Sequence, residues 1–311
     1  MIRDKVITFE LTTACGAKCV MCQRDKLKKV THMSTDSFKE YVLKCKSLKG
    51  LISIGFCGFG DPLMATELEK KLQIVRDAFG DKVELSITTT CHMLDEKMLN
   101  VVNNYIDVVK ISMYGFNKEV YESVHRGSLN GDLVKRNIDR LLQHPDRPYV
   151  IMSYLLLDQN NKSDMEIWKK TYGELADEIQ IWKPHNFAGY SSQYTDNDYS
   201  KQLVSCGRPL VGDYMVHTDG MVSVCCYDYL RDLIVGDLNI QTFDEILNGK
   251  EMQRIITKHQ NNEFSNLICA NCDQTHDRSF ALIYNTNKDF KVGMRSPSRK
   301  EMVHYKSESE K

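Results

Sequence analysis

Six short runs rich in apolar and β-branched residues recur up to Trp182: Val6–Leu11, Leu51–Phe56, Val83–Ile87, Val108–Ser112, Tyr149–Leu157 and Glu178–Trp182. Stretches of helical periodicity separate them. In Ser34–Ser47, residues Phe38, Tyr41, Val42 and Cys45 fall on one face, and Thr35 and Asp36 mark the N-terminal turn; Met64–Ala78 is a second such stretch. Strands alternating with helices predict right-handed βαβ units and a parallel sheet, hence an α/β fold. In barrels of such units, the loops that follow the strands carry the site.

The chain has 311 residues, enough for one large domain or two. A formal charge of −1 makes no broad electrostatic case for nucleic acid or an anionic membrane. No apolar run is long enough for a transmembrane helix, and Met1–Lys5 is not followed by the apolar core of a signal peptide. Eleven cysteines in such a chain read as metal ligands rather than disulfides, and a cytoplasmic location is expected.

Cys15, Cys19 and Cys22 follow directly on the first strand run. Thiolates are the natural ligands of iron–sulfur clusters, and three of them leave one iron of a four-iron cluster open. An open metal position usually signals chemistry. The alternatives are buried thiols or a zinc knuckle, for which the nearest further ligand is His32. A second set, Cys206, Cys225, Cys226, Cys269 and Cys272, ends in a Cys-x-x-Cys pair. Within it lie a turn at Asp219-Gly220, an alternating strand, Val235–Leu238, and a helix pattern from Thr242 to Leu247. Adjacent residues on a strand face opposite ways, so only one of Cys225 and Cys226 can easily ligate a shared metal group.

The N-terminal triplet resembles the signature of the radical S-adenosylmethionine (SAM) enzymes. The resemblance implies a partial (β/α)6 barrel whose [4Fe–4S] cluster is held by Cys15, Cys19 and Cys22. Its open iron would bind the amino and carboxylate groups of SAM, and reductive cleavage would release a 5′-deoxyadenosyl radical that removes a hydrogen atom from substrate. Gly58-Phe59-Gly60-Asp61-Pro62 resembles the family's Gly-Gly-Glu-Pro segment, with Phe59 and Asp61 as departures; it implies SAM contacts from Gly58, Gly60 and Asp61. Ile111–Gly115 and Val124–Gly127 resemble two further family segments. They imply Ser112 at the SAM carboxylate or ribose and Arg126 at the carboxylate.

The C-terminal region resembles the twitch form of the SPASM-type extension, a small β-hairpin plus helix domain. That implies an auxiliary [4Fe–4S] cluster closed by Cys206, Cys225, Cys269 and Cys272; a zinc ribbon with the same ligands is the alternative. A closed cluster suits electron transfer or structure. The expected division is a barrel over residues 1–200, the auxiliary-cluster domain over 201–285 and a flexible tail over 286–311, with a polar boundary loop around 190–205.

Cys226, Arg208 and Tyr114 are the candidate catalytic residues, Cys226 as a hydrogen-atom donor. His92, Tyr154, Lys183, His185 and Tyr190 lie at or after strand ends and are candidate substrate contacts. Cys57 and Cys91 could line the same site, and Cys45 belongs to a helix core. The resemblance implies oxidation or epimerisation of a carbinol carbon in a sugar- or aminocyclitol-type small molecule. A flavodoxin- or ferredoxin-type one-electron reductant would serve it. Modification of a ribosomally made peptide is the second reading, and a non-catalytic iron–sulfur redox sensor is the third. Neither nucleic acid nor membrane is an expected partner.

Overall fold

The computed structural model describes residues 5–157, 161–191, 203–276 and 282–287. Of the expected boundary loop, residues 192–202 lie outside the described residues, as does the expected tail from residue 288. One ten-stranded sheet organises the rest. Its strands are β1 (Lys5–Phe9), β2 (Leu51–Phe56), β3 (Glu84–Thr89), β4 (Val108–Ser112), β5 (Tyr149–Leu155), β6 (Glu178–Trp182), β7 (Asp213–Val216), β8 (Met221–Ser223), β9 (Ile234–Asp237) and β10 (Leu282–Asn285). Their order is β10-β6-β5-β4-β3-β2-β1-β7-β8-β9, an open sheet with β1 to β6 parallel.

Helices α1 (Thr35–Cys45), α2 (Leu68–Phe79), α3 (Glu96–Tyr105), α4 (Lys118–His125), α5 (Gly131–Gln143) and α6 (Lys162–Tyr172) supply the crossovers, as the alternation predicts. Ser34 caps α1 by accepting from the Ser37 amide, and Phe38 then packs edge-on against Phe9 at 5.0 Å and against Phe56 at 6.3 Å. Burying such an aromatic side chain contributes roughly 2–3 kcal/mol.

The two faces of the sheet differ. Ile7, Phe9, Ile54, Phe56, Leu85, Ile87, Val109, Ile111, Val150, Met152, Ile179 and Ile181 belong to the buried apolar core. The alternate positions include Thr8, Ser86, Thr88, Lys110, Ser112, Ser153 and Gln180. Register aligns Thr88 with Lys110, and Ser112 with Ser153 and then Gln180, so these polar residues run in rows along one face. A doubly covered parallel sheet would be apolar on both faces. A polar face in a partial barrel is a lumen.

The C-terminal region continues this same sheet. β7 pairs parallel with β1, and β8 and β9 follow antiparallel. The short helix α7 (Arg208–Val211) precedes β7, and α8 (Phe243–Leu247) and α9 (Lys250–Asn261) follow β9. A capping box between Thr242 and Glu245 starts α8. On the opposite edge β10 pairs antiparallel with β6, a strand that the sequence reading did not foresee.

Candidate active site

The triplet loop leaves the sheet after β1. Its neck is pinned: the Thr13 amide donates to the Thr31 carbonyl at 2.9 Å, and the Thr31 amide to Thr13 Oγ1 at 2.8 Å. Its far side is fastened near the end of α4 through Val20 N to Val124 O at 2.9 Å and Lys18 N to Ser128 Oγ at 2.8 Å. A turn with Cys22 N donating to Cys19 O at 3.0 Å folds the last two cysteines back on each other. Burial pushes the Cys15 thiol up to about 11, aided by Asp61 and Cys22. Burial raises Cys19 too, and the fields of Cys22 and Cys15 raise it further. Three thiols in one another's field, shielded from water, favour a cationic metal group that would stabilise their thiolates.

The glycine loop after β2 lies directly on the cysteine loop. Asp61 N donates to Ala14 O at 2.8 Å, and a Cβ on Gly60 would sit 2.2 Å from the Thr12 carbonyl oxygen, so only glycine fits there. The Asp61 carboxylate accepts from Leu63 N (3.1 Å), Thr89 Oγ1 (2.8 Å), Thr90 N (3.0 Å) and Thr90 Oγ1 (2.7 Å). Its side chain thus ties the end of β2 to the end of β3, leaving any ligand contact of this segment to the backbone.

Tyr114 donates to Ser112 Oγ at 3.1 Å. Burial raises its phenol, and Cys19, Cys57 and Cys22 raise it further. Arg126 stands in the left-handed region (φ 50°) at the end of α4, half exposed, with Nη1 3.4 Å from Asp25 of the cysteine loop. Four buried polar atoms in or near this loop lack a partner among the described residues: Gln23 Oε1, Tyr121 Oη, His125 Nε2 and His92 Nδ1. The Tyr121 and His125 rings are 4.2 Å apart, and the Tyr121 phenol feels Cys19, Cys91, Asp61 and Cys15. Buried polar groups are nearly always paired, so orphans here fit a site that receives a polar ligand. The thiol triplet, the close-packed glycine and the orphaned atoms fit a three-thiolate cluster with SAM beside it.

Cys206, Cys225, Cys269 and Cys272 form the second group. Burial raises all four thiols; Cys206 and Cys225 raise Cys269, and Cys206 and Cys269 raise Cys272. Asn186 N donates to Asp273 Oδ2 at 2.8 Å and Asp273 N to Asn186 Oδ1 at 3.1 Å, stapling the Cys-x-x-Cys segment to the chain after β6. Among the described residues no three His, Cys, Asp or Glu side chains close on a single metal ion. A four-iron cube gives each thiolate its own iron and spreads them apart.

Cys226 adjoins this group. β8 ends at Ser223, so Cys225 and Cys226 lie beyond the pleat; Cys226 raises the Cys225 thiol, and Cys206 raises Cys226. Cys226 is the one exposed cysteine of eleven. Arg208 Nη1 donates to its sulfur at 3.3 Å, and Arg208 Nη2 donates to the Tyr227 hydroxyl at 3.3 Å. The Cys57 thiol at the end of β2 is raised to about 11 by burial and then by Cys226, while Lys110 lowers it. The space beside Cys57 at the end of β2 is thus within electrostatic reach of Cys226 and Lys110. His185 stacks on Tyr227 with ring centroids 3.7 Å apart; burial and the Arg208 guanidinium push it down to about 3.

Other candidates lie apart from this space. Tyr154 is fully buried and donates to Asp164 Oδ2 at 2.7 Å, because it sits on the apolar face under α6. Cys91 and Cys45 are likewise fully buried, Cys91 in the turn after β3 and Cys45 at the end of α1. The Tyr190 hydroxyl is engaged by Asp228 and Asp232, and His92 stands beside Gly16. Lys183 adjoins this region just after β6. Residues that sequence reasoning missed are Glu10, Lys110, Gln180 and Tyr227. A charged or amide side chain at alternate positions of an otherwise apolar strand was the available signal for the first three.

Residues 9–169 match the radical SAM superfamily, and residues 206–273 match an iron–sulfur cluster-binding domain of the SPASM type. No curated protein matches the chain. Among solved structures, the fold is similar to BtrN in complex with AdoMet and 2-DOIA (TM-score 0.60, 17% identity, covering 86% of this chain and 92% of that one). It is also similar to native anSMEcpe with bound AdoMet (TM-score 0.64, 16% identity, 98% and 97%). A third is Streptococcus suis SuiB bound to precursor peptide SuiA (TM-score 0.65, 9% identity, 83% and 67%). The two matched domains imply a SAM-binding [4Fe–4S] cluster, SAM and an auxiliary cluster. Among the described residues no helix is long and apolar enough to cross a membrane.

Proposed function

The chain belongs to the radical SAM superfamily, and from that premise we propose that it oxidises or epimerises a carbinol carbon of a sugar- or aminocyclitol-type small molecule. Cys15, Cys19 and Cys22 would hold the first cluster, and Cys206, Cys225, Cys269 and Cys272 the auxiliary one. When bound and reduced, the first cluster with SAM supplies a 5′-deoxyadenosyl radical. Gly58 and Gly60 let the backbone approach SAM, while Asp61 holds that backbone in place. Ser112 and Arg126 would contact its polar groups.

The single observation that carries the substrate reading is the polar lumen. Lys110, Ser112, Ser153 and Gln180 share one sheet face, and Arg208 donates to the Cys226 thiol, which lies within electrostatic reach of Cys57 at the end of β2. A hydroxylated molecule can exchange its water hydrogen bonds for bonds to groups on this face, whereas an apolar one gains none from them. Arg208 would orient the substrate hydroxyl, and the Cys226 thiol would return a hydrogen atom in an epimerase.

The test is anaerobic turnover in D2O with a panel of aminocyclitols and sugars, following 5′-deoxyadenosine and product together. A ketone product supports dehydrogenation. One solvent deuterium in an inverted product, lost in Cys226→Ala, supports epimerisation. SAM cleavage that no polyol stimulates would overturn the reading. Peptide modification is the second reading, supported by the aromatic strip of Phe59, Phe187, Tyr190 and Tyr229 beside the site. A cytoplasmic location and a flavodoxin- or ferredoxin-type electron donor complete the proposal.

A further inference from the structure

A buried chain of hydrogen bonds joins the two cysteine regions. Glu10, just past β1, is 2% exposed, His217 is 1% exposed and Ser223 is fully buried. Glu10 Oε1 accepts from the Phe59 amide of the glycine loop at 2.9 Å. Its other oxygen, Oε2, lies 3.3 Å from His217 Nδ1. His217 Nε2 lies 3.0 Å from Ser223 Oγ, which is 3.4 Å from the carbonyl oxygen of Cys225. The glycine loop also rides on Glu10 sterically, since a Cβ on Gly58 would meet Glu10 Cγ at 2.6 Å.

We propose that Glu10, His217 and Ser223 are positioning residues that couple the SAM-binding loop to the auxiliary-cluster ligand Cys225. The proposal rests on the cofactor assignment above. Side chains this deep cannot turn to water, so losing one partner leaves the neighbouring buried polar group short of a hydrogen bond. The chain therefore moves as a unit: a ligand that shifts the Phe59 amide shifts Glu10, then His217, then the hydroxyl beside Cys225. Hydrogen bonds around cluster ligands tune their potential. Binding of SAM at the first cluster should thus be felt at the second, and by linkage the auxiliary redox state should alter SAM affinity by the matching factor.

The experiment uses the anaerobically reconstituted full chain and SAM itself. An EPR-monitored redox titration measures the auxiliary midpoint potential with and without SAM in wild type, Ser223→Ala and Ser223→Thr, with iron and sulfide content as the loading control. We expect SAM to shift the potential in wild type, the shift to fall below half in Ser223→Ala, and Ser223→Thr, which keeps the hydroxyl, to restore it. Should Ser223→Ala not hold its iron, His217→Leu, farther from the cysteines, carries the same expectation. An unshifted wild type, or a full shift in the variant, overturns the coupling. If SAM perturbs the first cluster's spectrum while the auxiliary stays silent, the coupling alone has failed; if SAM perturbs neither cluster, the cofactor assignment has failed.

Discussion

Arg208 Nη1 donates a hydrogen bond to the Cys226 sulfur at 3.3 Å, and its guanidinium lies over the Tyr227 ring at 4.8 Å. The same Nη1 lies 3.8 Å from Asp213 at the start of β7. One planar cation thus holds a thiol, a phenol and a carboxylate together. Lysine cannot reproduce that fork. Arg208→Lys is expected to lower substrate turnover by about tenfold or more, an effect on the scale of one misplaced hydrogen bond. SAM affinity, measured by equilibrium binding, should stay at the wild-type level.

Cys15→Ala should abolish SAM cleavage, because two thiolates cannot hold a cluster with one defined open iron. Cys269→Ala should leave some SAM cleavage while turnover or stability declines, since Cys269 lies in the other thiol group. Anaerobic assay of 5′-deoxyadenosine beside iron content separates them. Full SAM cleavage together with full product formation in Cys269→Ala would remove the electron-acceptor role of the auxiliary cluster.

Asp61 is 4% exposed, and its carboxylate accepts from two amides and two hydroxyls. Asp61→Ala leaves those donors buried without a partner, a loss of roughly 2–4 kcal/mol. Asp61→Asn preserves the shape and some acceptors and should lose less. Urea denaturation of the apoprotein measures both, and equal stability of Asp61→Ala and wild type would show the contacts to be incidental.

His185 gives a pH signature. Burial and the Arg208 guanidinium hold its folded-state pKa at about 3, below the value near 6.5 of an unfolded histidine. The unfolded chain therefore binds the extra proton first. Stability from this group is complete above about pH 6.5 and declines toward pH 3, by at most about 1.4 kcal/mol per pH unit. His185→Phe, which keeps a ring against Tyr227, should flatten that part of the stability profile between pH 6 and 4, read by chemical denaturation. An unchanged slope would assign the pH dependence to other groups.

Much of the site was legible locally. The triplet spacing, the glycine loop and the C-terminal Cys-x-x-Cys each lie within a short segment, and backbone geometry confines such segments to few shapes. Strand β6 and helix α1 were readable for the same reason, since periodicity is a local property. The fate of Cys226 was less so. An assumed pleat predicts opposite faces for Cys225 and Cys226, but the strand ends at Ser223, and Arg208, 18 residues earlier, meets the Cys226 thiol. Tyr154 looked like a strand-end contact, and the register put it on the apolar face instead.

By itself, the amino-acid sequence determined the α/β alternation, the two cysteine sets and their order, because these depend on residues close together in the chain. Only the tertiary structure decided that β7 docks along β1, that Lys110 and Ser112 face a lumen, and that Glu10 meets His217 across 207 positions. Those pairings depend on how the whole sheet assembles and which edges remain to be covered, and no local pattern encodes that.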